Sequence, residues 1–346
     1  MAIYSLDPIV DPRWSEFVDR HASASIVHTP EWLCALKRTY GYRPVVYTTS
    51  APGSTLTNGA VLCRVSSWLT GRRWVSLPFT DHCELLVDSR EREAEILEAL
   101  HQAGSRERLR YIELRALGLQ QPENSDWKVE ATYCLHVLDL QPSLDDIFRA
   151  THKTAVQQAI RRAEREQLEY SDGRSEALLD EFYRLLLLTR RRHNLPPQPI
   201  QWFRNLIVSV GDRLKIRVAS KDGKTVASIL TFQWGDTIHY KYGCSDAQFH
   251  NLGGIAMLLW KTIQEGKASG ARGLDFGRSD LDNPGLITFK DRWGAKQSVL
   301  SYVRHSRQPA KHAGAGRGAR LAQQVFARMP DEMLVAAGRL LYRHIA

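Results

Sequence analysis

The sequence predicts an α/β protein with two domains of similar build and mixed sheets, followed by a basic, amphipathic helical tail. Three observations carry that prediction. Asn251–Gly294 reads as a glycine-opened helix, a short buried strand and a loop loaded with charge. The order helix, strand meander, helix, strand occurs twice, roughly over residues 10–140 and 145–305. Beyond Ser306 the chain turns to Gly, Ala and basic residues. The expected domains are 1–142 and 143–305, with 306–346 as the tail.

In the first half, His28–Tyr40 reads as a helix. Thr29 can cap it, Pro30 suits its first position, and Trp32, Leu33, Leu36 and Tyr40 have helical spacing before Gly41. Val45–Thr48 and Ala60–Val65 read as strands around a turn-rich segment, and Gly71–Pro78 as a third, leading into Asp81 and His82. Glu91–Ala103 is a helix and Tyr111–Leu114 a strand. In the second half, Cys134–Leu140 is a strand, Ser143 starts a helix, and Thr151–Leu168 is a helix with Lys153, Arg161 and Arg162 along it, most simply a solvated face. Glu176–Arg192 and Ile200–Val208 are helices flanking a proline-rich break. Leu214–Ala219, Val226–Trp234 and Thr237–Gly243 form a meander with Asp222-Gly223 and Gly235-Asp236 turns. Ile255, Leu258, Leu259 and Ile263 give the next helix one apolar face. Leu274–Phe276 and Ser298–Val303 are the last strands.

In the tail, Pro309–Ala319 resembles a linker, so Gly314-x-Gly316-x-Gly318, with no strand before it, reads as linker rather than phosphate loop. Leu321, Val325, Met329, Leu334, Ala337, Leu341 and Ile345 then trace an apolar face beside Arg339 and Arg343. Such a helix either packs on the protein's own body or lies on anionic lipid.

The composition narrows the function classes. Five scattered cysteines without a C-x-x-C pair argue against a zinc site and a disulfide framework and fit a reducing compartment. H-E-x-x-H, G-x-x-x-x-G-K-[ST] and G-x-S-x-G are absent from the sequence, which disfavours zincin, P-loop and α/β-hydrolase chemistry. No run of 18 apolar residues occurs, so a cytoplasmic protein is expected, at most peripheral to the inner face of the membrane. Of the formal net charge of +9, +6 falls after Val303, which favours a polyanionic partner.

Gly253 and Gly254 remove side chains at a helix start, where unpaired N–H groups and the helix dipole suit a phosphate. Asn251-Leu-Gly-Gly254-Ile-Ala256 resembles the Gln/Arg-x-x-Gly-x-Gly/Ala cradle of GNAT acyltransferases, with Asn in place of Gln/Arg. Asp275-Phe-Gly-Arg-Ser279 and Phe289-Lys-Asp-Arg-Trp-Gly294, with Pro30-Glu-Trp32, resemble the FemABX-like branch, which includes BioF2-like and exopolysaccharide-associated members. The resemblance is strongest over 210–303. It implies two tandem GNAT-like domains and transfer of an acyl or aminoacyl group to an amine in envelope or exopolysaccharide biosynthesis. The donor it implies is acyl-CoA or aminoacyl-tRNA, with a carrier protein as a further option. The acceptor is a small-molecule or lipid- or sugar-linked amine. No metal is needed. The family's Phe-Lys motif maps onto Phe289 and Lys290. The rival readings are an acetyl-CoA-dependent small-molecule N-acetyltransferase and a non-catalytic, membrane-attached scaffold.

Acyl transfer needs a proton acceptor and positive groups where the oxyanion grows. The candidate catalytic residues are Lys290, Arg278, Asp275 and Tyr242. Asp275 either accepts a proton or caps the following turn, and Arg278 either binds charge or pairs with a neighbouring aspartate. Asn251, Gly253, Gly254, Ala256 and Ser279 are candidates for holding the donor. Phe289, Tyr240, Asp81 and His82 are candidates for the acceptor. Strand alternation puts Tyr240 and Tyr242 on one face and His239 and Lys241 on the other.

Overall fold

The computed structural model describes residues 3–67, 71–119, 126–306 and 317–344, with only the backbone of 317–322. The molecule divides into two compact units. One comprises Met1–Tyr133, Val299–Gly314 and Leu340–Ala346, and the other Cys134–Ser298 and Ala315–Arg339. The division falls inside a strand rather than at 142, and the tail is parted between the units.

In chain order the elements begin with β1 (Tyr4–Leu6), α1 (Pro12–Arg20), α2 (Pro30–Tyr40), β2 (Arg43–Thr48), β3 (Ala60–Ser67) and β4 (Gly71–Val75). Then come α3 (Arg90–Arg106), β5 (Tyr111–Leu114), β6 (Trp127–Asp139), α4 (Leu144–Ala150) and α5 (Gln158–Arg165), which continues a π-helical turn over Lys153–Gln157. Next are β7 (Glu169–Gly173), α6 (Glu176–Arg192), α7 (Ile200–Val210), β8 (Leu214–Lys221), β9 (Lys224–Trp234) and β10 (Thr237–Ser245). The chain ends with α8 (Gly254–Ala268), β11 (Gly273–Asp280), α9 (Pro284–Asp291), β12 (Lys296–Ser306), α10 (Arg317–Arg328) and α11 (Asp331–Leu341).

In the first unit the sheet order is β1-β2-β3-β4-β5-β12. The meander β1 to β4 is antiparallel, β4 runs parallel to β5 after the α3 crossover, and β12 closes antiparallel on β5. The helix starts follow local chemistry: Thr29 Oγ1 accepts from Trp32 N, and Gly41 ends α2 in the left-handed region at φ 73°. Ile96, Leu97 and Leu100 of α3 pack on Leu62, Trp74 and Ile112.

The second unit repeats the plan in the order β6-β11-β10-β9-β8-β7. Here β8, β9 and β10 form the antiparallel meander, α8 is the crossover, and β11 is parallel to β10. β6 follows β5 in sequence but lies beside β11, β12 follows β11 but lies beside β5, and the division between the units falls within both strands. Leu258, Leu259 and Ile263 of α8 and Ile160 and Ala163 of α5 fill the core, as their spacing predicts.

Sequence reading missed β1, α1 and β7, three short elements, and took α9 for a charged loop. The described part of the tail packs on the body. Leu334 is fully buried, and Arg191 donates to Met329 O at 2.9 Å and pairs with Asp331. A Cβ on Gly338 would come within 2.1 Å of Pro197 O. In the first unit, Tyr42 Oη donates to Tyr342 O at 2.7 Å. Gly314, Gly316 and the side chain of Leu321 lie outside the described residues.

Candidate active site

The parallel register of β10 and β11 sets His239 beside Asp275. His239 Nδ1 lies 3.2 Å from Asp275 Oδ2, and Asp275 Oδ1 accepts from Gly277 N at 2.6 Å. That second bond closes a tight turn within the strand, and Gly277 takes φ 69°, which a residue with a side chain adopts only under strain. One carboxylate therefore kinks β11 and orients an imidazole. The tautomer that donates through Nδ1 leaves Nε2 as an acceptor. Nε2 of His239, Oγ of Ser279 and Nε1 of Trp293 are buried without a hydrogen-bond partner among the described residues.

Asn283 accepts from Leu286 N and Pro284 occupies the first turn, so α9 starts sharply after β11. Its last turn delivers Lys290, only 2% exposed, onto the kink. Lys290 Nζ donates to Gly277 O at 2.7 Å and to Arg278 O at 2.9 Å. Asp291 pairs with fully buried His136 at 3.1 Å. Burial holds His136 below its ordinary pKa, against the pull of Asp291, and the charge of Lys290 lowers it further. Phe289 is half-buried and packs on the core beside Trp293 and Phe276.

Several expectations need correction. Tyr240 and Tyr242 do not share a face, because a register shift between them inserts a bulge in β10. Tyr242 is core: it accepts from Trp202 Nε1 at 3.1 Å and meets the rings of Phe182 and Phe203. Tyr240 packs edge-on to Phe276, and burial raises its pKa, so it stays protonated. Gly253 does cap α8, at φ 79°. A Cβ there would lie 2.2 Å from Ala159 O of α5, and one on Gly254 would lie 2.8 Å from Ala227 Cβ. These glycines serve close packing of α8 on α5 and β9. Asn251 is exposed in the preceding turn, and Ala256 is half-buried against the core. Arg278 and Ser279 lie within β11, not beyond its end.

Asp81 and His82 belong to the first unit. The Asp81 carbonyl accepts from Tyr302 Oη at 2.7 Å, and His82 Nδ1 lies 3.1 Å from Glu84 Oε1. Their loop carries Leu77 and Phe79 at positive φ and is pinned by Arg115, which donates to Leu77 O and Thr80 O. Among the described residues, His101, Asp126 and His305 of the first unit bring three ligand atoms within 4.8 Å of one another, a grouping no sequence spacing announces. His136 and Trp293 were also missed. The pairing of His239 with Asp275 is visible only once β10 and β11 are known to be parallel.

A family model described as "Acetyltransferase (GNAT) domain" matches residues 150–290. The UDP-N-acetylmuramoylpentapeptide-lysine N(6)-alanyltransferase of Weissella viridescens is 30% identical over 87 residues, 25% of this chain and 26% of that protein. The match thus spans about a quarter of that relative's length. Among solved structures, FemX superposes with TM-score 0.67 at 13% identity, covering 94% of this chain and 100% of that one. L-PGS from Bacillus licheniformis gives 0.56 at 14% identity, covering 93% and 98%. A tandem GNAT protein from the clavulanic acid biosynthesis pathway gives 0.53 at 12%, covering 90% and 100%. At such identities these likenesses establish the fold, two GNAT-like halves in tandem.

Proposed function

We propose that the protein is an acyltransferase that moves an aminoacyl group from an activated carrier to an amine on a cell-envelope precursor. The observation that carries this reading is the His239–Asp275 pair, with its partnerless Nε2, set against a strand kink that holds the buried ammonium of Lys290. In the reaction the amine nitrogen attacks the donor's carbonyl carbon. A C–N bond forms and the carbonyl carbon's bond to the carrier oxygen or sulfur breaks. His239 Nε2 takes the amine proton and returns it to the leaving atom, while Asp275 holds the ring and steadies its charge. Lys290 and Arg278 supply positive potential for the oxyanion, and Ser279 Oγ can donate to the donor.

Aminoacyl-tRNA is the favoured donor. The relative in Weissella is named for alanyl transfer to a lysine amine. The net charge of +9 also suits a polyanionic carrier. Acyl-CoA is the second reading, favoured by the GNAT domain match over residues 150–290. The acceptor class is a lipid- or sugar-linked amine, exopolysaccharide precursors included. Exposed Val325 and Met333, beside Arg328 and Arg339, offer the tail a peripheral contact with anionic lipid on the cytoplasmic side. The test is transfer of radiolabelled amino acid from bulk charged tRNA to an amine acceptor, run beside thiol release from acetyl-CoA. Transfer from tRNA that His239→Ala abolishes supports the reading. Thiol release alone would replace the donor, and neither activity would favour a scaffold.

A further inference from the structure

The first unit contains a cavity of about 640 Å³ at the start of β2, the end of β3 and the start of β4, walled also by the end of α3 and the segment after α11. Its lining includes five arginines, Arg43, Arg64, Arg72, Arg73 and Arg343, and one carboxylate, Glu107. That carboxylate is shared: Oε1 lies 3.3 Å from Arg64 and Oε2 lies 3.6 Å from Arg72. Arg43 sits directly opposite Arg64 across the antiparallel pair, a placement that like charges disfavour.

Two of the guanidiniums are held rather than loose. Arg64 lies over the rings of Trp74 and Tyr47, 5.3 and 5.8 Å from their centroids, and donates to Tyr47 Oη at 2.7 Å. Arg73 is 1% exposed and donates to His344 O at 2.9 Å. Among the described residues the lining sets one carboxylate against five guanidiniums; like charges so gathered repel one another unless an anion joins them, and their planar forks match phosphate oxygens. The volume lies in the range of small-molecule sites, roughly 300–1,000 Å³.

We propose that this cavity binds a diphosphate group, and that Arg343 and His344 of the C-terminal segment form one of its walls. The site lies wholly within the first unit and does not depend on the transferase reading. The test is calorimetric titration of the full chain with inorganic pyrophosphate at low salt, for the wild type and for Arg43→Ser and Arg343→Ser. Both arginines are exposed, and unchanged urea midpoints will show that the variants fold. The expected result is saturable 1:1 binding that weakens with added NaCl and falls at least about tenfold in each variant, as loss of a charged hydrogen bond implies. Absence of saturable binding at millimolar pyrophosphate, or equal affinity in folded variants, would overturn the proposal.

Discussion

His239 has one nitrogen on Asp275 and the other without a partner among the described residues, the arrangement the proposed general-base role requires. His239→Ala should cut the transfer rate by about 10²–10⁴ without shifting the urea midpoint much. Asp275→Asn should lower the rate as well: its one oxygen can still accept from Gly277 N in the β11 turn, but an NH2 donor then faces His239 Nδ1 and favours the wrong tautomer. Lys290→Ala should slow transfer by roughly 10²–10³. It also strips two buried carbonyls of a donor, so its midpoint should fall, whereas that of His239→Ala should not. A rate loss without any fall in midpoint would contradict the structural half of that assignment. His28 offers a separate test. Its Nδ1 accepts from Ser25 N, and its Nε2 is placed to donate to Glu84 O. Burial depresses its pKa from 6.5 to about 4. The unfolded chain therefore takes up a proton below about pH 6.5 that the folded protein refuses until about pH 4. Stability is full above that window and declines as pH falls through it, by on the order of 3 kcal/mol at the lower end. His28→Gln should flatten that slope in denaturation measured between pH 7 and 4.

At the scale of elements, periodicity revealed α2, α6 and α8 because each buries one apolar face over three or more turns. It failed for α9, where eight residues carry a charge in the last turn and the one fully committed side chain is a lysine. Asn283-Pro284 was the available signal, a cap followed by a proline. The bulge in β10 was also illegible, since alternation assumes an unbroken pleat and nothing in Tyr240-Lys241-Tyr242 announces the extra residue. The glycine-opened start of α8 was legible, but its reason was not: a glycine needed for helix packing and one needed for phosphate look alike in sequence. Gly253→Ala tests which reason holds. With Ala159 O in the way and φ positive, the change should destabilise by about 1–3 kcal/mol in urea denaturation, with or without a donor present.

At the scale of the whole molecule, the repeated order of elements was readable, and the pairing of the final strands was not. β6 and β12 each look like a last strand of their own half, and only pairing reveals that β6 lies beside β11 and β12 beside β5. The tail was legible as amphipathic, yet amphipathicity alone does not say whether the apolar face meets protein or lipid. Leu334 answers for its own position: Leu334→Asp should cost about 3 kcal/mol or more, read as a lowered urea midpoint. A surface residue would show almost no effect.

The most direct measurement of the central claim is single-turnover transfer from aminoacyl-tRNA to a lysine-bearing envelope precursor, followed against pH in the wild type and in His239→Ala. The predicted result is a rate about 10²–10⁴-fold lower in the variant than in the wild type across the pH range. Transfer at the wild-type rate and with an unchanged pH profile in folded His239→Ala would contradict the account.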